Sequence, residues 1–198
     1  MPTTVNAGRA NQRARTRTAI IDACRELTRS GAEVTMPRVA ERAMVSEATA
    51  YRYFPDLVSL LREALGGLWP DPAEALVPVA ASADPAERVA FACEYMLRGV
   101  HAYQGSVRAM IAGTITSPRT PASLRPGYRF GLIDHALAPF AGRLTPDAMT
   151  RLKQDLAIVV SAEAFFTLTD LCGLSPDDAI ASAVRTAATI TAAAFAGV

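Results

Sequence analysis

Apolar residues along this chain recur at intervals of three and four, and no bounded stretch alternates apolar and polar with a period of two. That spacing gathers side chains on one face of an α-helix. The pattern therefore predicts an all-α protein of about nine helices, four in a first part and five in a second. From about Arg13 to Ser30, Ala19, Ile20, Ala23, Cys24 and Leu27 share a face, and Gly31 is placed to close the helix. After Asp56, a good N-cap, Leu57, Leu60, Leu61, Ala64, Leu65 and Leu68 form a second stripe. Gly66 and Gly67 loosen its end, and Trp69-Pro70-Asp71-Pro72 interrupts it.

Beyond a Pro- and Ala-rich stretch, three signatures of N-cap, first-turn proline and acid recur. They are Asp84-Pro85-Ala86-Glu87, Thr145-Pro146-Asp147-Ala148 and Ser175-Pro176-Asp177-Asp178. They open helices predicted to reach about Gln104, Cys172 and Ala196. Two further helices are expected over Ser106–Thr116 and Tyr128–Phe140. Gly105 is placed to separate the first of these from its predecessor, and a loop over Arg119–Gly127 separates the two. The organisation that follows is a flexible basic arm over 1–12, a small helical domain over 13–69, a linker over 70–83 and a second helical domain over 84–198.

Residues 35–54 carry the most specific pattern. Thr35 is an N-cap and Pro37 lies in a first turn, where a proline costs no hydrogen bond. Val39 and Ala40 face inward, and the helix breaks at Met44-Val45. Ser46 caps a second short helix that Pro55 ends, since the residue before a proline is pushed out of helical geometry. Two short helices around a tight turn form a helix-turn-helix, whose second helix enters the major groove of DNA. Ala50 and Phe54 share the inward face of that helix. Glu47, Ala48, Thr49, Arg52 and Tyr53 lie mostly on its other faces, with Tyr51 at a flank. Small residues, hydroxyls, a guanidinium and a carboxylate suit base edges and phosphates.

The string Val45-Ser-Glu-Ala-Thr-Ala-Tyr-Arg-Tyr-Phe-Pro55, followed by Leu57-Val-Ser-Leu-Leu61, resembles the TetR family of transcriptional regulators. The family pattern is roughly Val-Ser-x-Gly-Thr-Leu-Tyr-x-Tyr-Phe, then a short turn with a Lys and a leucine-rich helix. Ala48 stands where Gly is usual, Ala50 where Leu is usual, and Leu57 or Val58 where the Lys is common. The resemblance covers about residues 13–68. It implies that Thr35, Thr49, Tyr51 and Tyr53 hold phosphates or a thymine methyl and that Glu47, Ala48 and Arg52 face base edges. Arg38 joins the DNA-binding set. It also implies a homodimer formed through the last two helices and a ligand held in the second domain.

Charge sharpens this picture. The net charge is +1, yet residues 1–68 hold ten arginines against seven acids, and residues 69–198 ten bases against twelve acids. Arg9, Arg13, Arg15 and Arg17 occur in the first twenty residues with no acid among them, which next to a helix-turn-helix points to DNA. The three cysteines, Cys24, Cys93 and Cys172, lie far apart on mostly apolar helical patterns without metal-ligand spacing and read as buried free thiols. No apolar run follows the basic start and none reaches membrane-spanning length, so a cytoplasmic protein is expected.

In the second domain, Tyr95, His101, Met110, Phe130, Asp134, Glu163 and Phe166 are candidate liners of an apolar pocket with a few polar groups, the usual form of a small-molecule site. Arg98, Tyr103, Tyr128 and His135 interrupt the same apolar faces. The Ala-, Val- and Ile-rich faces of the last two helices suggest a dimer interface at Val159, Ala162, Phe166, Ile180, Val184, Ala187 and Ile190. Two histidines, no Gly-rich phosphate loop and no placed nucleophile argue against an enzyme. Neither a cofactor nor a metal is expected. The sequence thus predicts a DNA-binding regulator, a repressor of a palindromic operator released by a small apolar ligand. The rival is a ligand-binding or protein-interaction module whose helix-turn-helix no longer binds DNA.

Overall fold

The computed structural model of the protein describes residues 4–66, 69–116 and 127–196. Gly67, Leu68 and nearly all of the loop expected over Arg119–Gly127 lie outside the described residues. Within them the chain forms eleven α-helices with short 3-10 turns and no strand. These sort into two compact units, one of Met1–Trp69 with Tyr103–Pro126, the other of Pro70–Ala102 with Gly127–Val198.

The first unit holds α1 (Thr4–Arg29), α2 (Met36–Arg42), α3 (Glu47–Tyr53), α4 (Leu57–Leu65) and α7 (Gln104–Thr116). Its core buries Ile20, Cys24, Val39, Ala50, Leu60 and Leu61 completely. Each such Leu or Ile contributes about 1.5–3 kcal/mol over an exposed position. Ala19, which the helical period places near this stripe, is exposed, and Ile21 takes its place in the core. α1 also begins at Thr4, where an arm of twelve flexible residues was expected. From Arg9 onward its Ala, Arg and Gln residues are good helix formers, and they carry the helix through Gly8 and the weaker formers Thr4, Val5, Asn6 and Asn11.

α7 belongs to this unit rather than to the second, where the sequence placed it. Met110 inserts into the same core as Phe54 and Leu61. Ser106 shares a buried hydroxyl–hydroxyl hydrogen bond of 2.7 Å with Thr28 of α1. Close approach depends on two glycines. A Cβ on Gly105 would meet the Ala32 carbonyl oxygen at 2.9 Å, and one on Gly113 would meet Val58 Cγ2 of α4 at 2.3 Å. Gly105, expected to end the preceding helix, therefore sits inside the first turn of α7 for reasons of packing. The break falls instead at Tyr103. Trp69 packs edge-to-face on Tyr103, ring centroids 6.1 Å apart.

The second unit is built on α6 (Pro85–Ala102) and α11 (Pro176–Phe195), with α5 (Pro72–Ala75), α8 (Tyr128–Leu137), α9 (Pro146–Val159) and α10 (Ala162–Phe166) around them. The N-caps act as their residues predict, although the acid Glu87 accepts from Ser82, which also takes the Asp84 amide that a capping box would give to Glu87. Asp84 Oδ1 accepts from the Ala86 amide at 2.8 Å, and Thr145 and Ser175 accept from Ala148 and Asp178. Arg88 of α6 is buried without a carboxylate. Its guanidinium donates to the carbonyls of Val79, Ala80, His135 and Ala136, so the ends of a 3-10 turn and of α8 supply the negative pole. The expected linker is thus partly ordered as α5 and that turn, Val77–Val79.

One long helix over 145–172 is not what forms. The β-branched run Ile158-Val159-Val160 meets Ser161, whose hydroxyl accepts from the Ala164 amide at 3.0 Å and donates to the Ile158 carbonyl at 2.7 Å. Serine competes for backbone groups in this way and favours a cap. α9 stops, α10 starts, and a π-helical turn over Thr167–Leu171 follows. Among the described residues no helix is long and apolar enough to cross a membrane.

Candidate nucleic-acid interface

α2 and α3 owe their positions to caps and a turn. Thr35 Oγ1 accepts from the Arg38 amide at 3.5 Å, and Ser46 Oγ from the Thr49 amide at 3.2 Å. Between the helices, the amides of Ala43, Met44 and Val45 donate back to Val39, Glu41 and Ala40 at 2.9–3.0 Å. Met44 makes the corner at φ 55°, in the left-handed region, with its side chain 93% exposed. Asp56 Oδ1 then caps α4 through the Ser59 amide at 2.7 Å.

These constraints orient α3. Ala50 and Phe54 turn into the core. Glu47, Ala48, Tyr51 and Arg52 are exposed, and Thr49 and Tyr53 are half-buried beside them. The Arg52 guanidinium lies over the Tyr53 ring, 5.7 Å from its centroid, which holds a long side chain near the helix surface. Thr35 is half-buried at the start of α2 and Arg38 exposed one turn on. The eight DNA-contact candidates therefore belong to one helix-turn-helix, with five of them exposed.

Other arginines of this unit have different work. Arg17 pairs with Glu63 of α4 and lies 5.0 Å over Phe54, clamping α1 to the end of α3. Arg42 pairs with Glu26, whose carboxyl it holds below the usual carboxylate range, fastening α2 to α1. Arg25 donates to the Ala64 carbonyl at 3.0 Å. A second contributor lies on α1, where Gln12, Arg13 and Thr16 line a notch with α3; the charge pattern points to Arg13, whereas nothing in the sequence marks Gln12 and Thr16. The signal is the arginine-rich start, although its Pro-, Thr-, Asn-, Gly- and Arg-containing opening reads as a flexible arm up to residue 12, with a helix only from Arg13.

The ligand candidates are spread out. Met110 is a core residue of the first unit. Tyr95 neighbours Tyr128, whose phenol burial pushes well above its ordinary range, with Tyr95 adding to the effect. The exposed His101 has its ring 5.9 Å from that of Phe165, against which Phe166 also packs. Phe130 is 50% exposed beneath Arg129. Asp134 pairs with Lys153 at 2.8 Å and Glu163 with Arg129 at 3.1 Å. Glu163 alone of the seven lines the groove of about 560 Å³ between α9, α10 and α11. Of the dimer candidates, Ala162, Ile180 and Ala187 are buried in their own unit, and Val159, Phe166, Val184 and Ile190 are half-buried. Among the described residues no three His, Cys, Asp or Glu side chains cluster to hold a metal.

Residues 20–64 match the family model of bacterial regulatory proteins of the tetR family. A solved structure of a TetR transcriptional regulator from Rhodococcus sp. RHA1 shares the fold, with a TM-score of 0.52. It is 23% identical, and the match covers 90% of this chain and 97% of that one. No curated protein matches the chain.

Proposed function

The chain belongs, by its domain at residues 20–64, to the bacterial TetR regulatory family, and we propose that it is a repressor which a small, largely apolar ligand releases from a palindromic operator. The observation that carries this reading is α3. It is a capped seven-residue helix with its apolar side in the core, and it presents Glu47, Ala48 and Arg52 outward, where base edges would lie. Arg52 suits the paired acceptors of a guanine, and Glu47 a cytosine amine. Thr35, Arg38, Thr49, Tyr51 and Tyr53 surround them as groups for phosphates or a thymine methyl.

A palindrome requires two recognition helices, hence a homodimer. Release follows from a shift in population. Ligand bound in the second unit favours dimers whose recognition helices are wrongly spaced, and it does so only by binding the two states with different affinity.

The test is fluorescence anisotropy on DNA upstream of the protein's own gene, over a salt series, for the wild type and Arg52→Ala. A steep loss of affinity with salt is expected, because displaced counterions make phosphate contacts salt-dependent. Arg52→Ala should relax discrimination at one operator position by about 1–3 kcal/mol. If the wild type shows no salt-steep binding to any duplex, including those from a genome-wide selection, the protein is an interaction module instead. The apolar Leu57 in place of a basic residue at the start of α4 is the feature that favours that rival.

A further inference from the structure

The opening of α1 reaches beyond the hydrophobic stripe that packs it, and from Ala10 to Arg15 every residue is exposed. A solvated helix end needs no partner, yet this one does not run free of the recognition helix. Gln12, Arg13 and Thr16 converge with Thr49, Arg52 and Tyr53 on a notch of about 470 Å³. The charged residues lining it are two arginines, with no carboxylate among them. Neither makes an ion pair among the described residues, whereas Arg17, one turn along α1, is engaged by Glu63. Two arginines lining one notch without a carboxylate favour an anion there, and Arg13 is the one of the two that the base-reading face does not already use.

The neutral groups agree with the charges. Ser46 Oγ donates to Thr49 Oγ1 at 2.9 Å, so the Thr49 hydroxyl keeps its own proton to donate elsewhere. The Gln12 amide, the two guanidiniums and that hydroxyl form a set rich in donors, which fits a group with several acceptor oxygens and negative charge. The notch also flanks the helix whose outer face is assigned to base edges. The geometry points to a DNA backbone phosphate held between α1 and α3, with Arg13 and Gln12 as its contacts from α1. This rests on the DNA-binding reading above. It adds that the basic opening of α1 acts as an ordered clamp at one phosphate, not as a diffuse positive cloud.

The experiment uses the full chain and two duplexes, the best operator found by selection and an unrelated sequence, each over a salt series. Arg13→Ala should weaken both duplexes by the same factor, roughly tenfold at low salt, and reduce the slope of log affinity against log salt by about 0.9. Gln12→Ala should weaken both by a smaller common factor. Arg15→Ala is the comparator, because Arg15 is also exposed, carries the same charge and lies outside the notch; its effect on the slope should be under half that of Arg13→Ala. Equal effects of the two arginine variants would replace the clamp with a diffuse field, and an unchanged Arg13→Ala would remove it. A wild type that binds neither duplex defeats the DNA reading itself and the clamp with it. Measuring wild-type binding in the same series keeps the two failures apart.

Discussion

Met44 sits at the corner of the helix-turn-helix in a conformation that costs a residue with a Cβ about 1–2 kcal/mol, and its exposed side chain offers no burial in return. The turn persists because the caps and amide bonds on both sides fix it, so the recognition helix is held by its neighbours rather than by local preference. Nothing in the residue type announces this geometry. A glycine would have done so, and the sequence shows only that two helices break there. The cysteines were more legible: of the three expected to be buried, Cys24 and Cys93 are, whereas Cys172, at the end of a π-helical turn, is exposed. Burial pushes the Cys24 thiol up to about 11 and the Cys93 thiol up to about 12. In the unfolded chain these thiols lose their protons near pH 8.5, while the folded protein keeps them protonated. Their contribution to stability is therefore complete below that pH and is lost as pH rises toward the folded values. The melting temperature should fall between about pH 8.5 and 10.5, and Cys93→Ala should flatten that fall. An identical slope in the variant would show that other groups set the alkaline limit.

At the level of elements, capping residues made starts easier to read than interiors. Asp84, Thr145 and Ser175 each accept the amide bond that their sequence signature predicts, and the helices begin where expected. What periodicity did not reveal was a helix interrupted by a serine cap, or a helix whose partner is far away in sequence. Ser161 follows the apolar run Leu156–Val160 with no Gly or Pro beside it, so only the competition of its hydroxyl for backbone groups marks the end of α9. The place of α7 depends on Gly113, which as a residue type reads as flexibility but functions as a flat surface against Val58. A methyl group at that point would lie 2.3 Å from a Val58 methyl on a stiff β-branched side chain. Gly113→Ala should destabilise the protein by about 1–3 kcal/mol through overpacking. Val58→Ala, destabilising alone, should be less so in the Gly113→Ala background. Denaturant melts of the four proteins measure that coupling, and additive losses would mean that α4 and α7 do not meet there.

At the scale of the whole molecule the proposed homodimer needs an apolar face, and the second unit offers one. An Ala-, Val- and Ile-rich helix carries more than one apolar stripe, and sequence alone does not tell which faces inward. Ala162, Ile180 and Ala187 are occupied within their own unit. Ile158 is 72% exposed and Leu171 83% exposed. Ile158, Val159 and Leu168 also line the groove formed with Ser182 and Thr186 of α11. In a two-fold dimer every contact occurs twice, so a single exposed isoleucine within the interface contributes from both copies. Covering one such side chain is worth up to about 1.5–3 kcal/mol. Glutamate there would place two charges against apolar surface or each other, while costing the isolated subunit little, since Ile158 hardly packs into it. Light scattering over a dilution series should give a dimer mass for the wild type and a monomer mass for Ile158→Glu with unchanged helical content. Operator affinity should fall with it, because a palindrome then loses the advantage of two linked half-sites. A wild type that is monomeric at every concentration would remove the dimer. A dimeric Ile158→Glu would move its interface to another face.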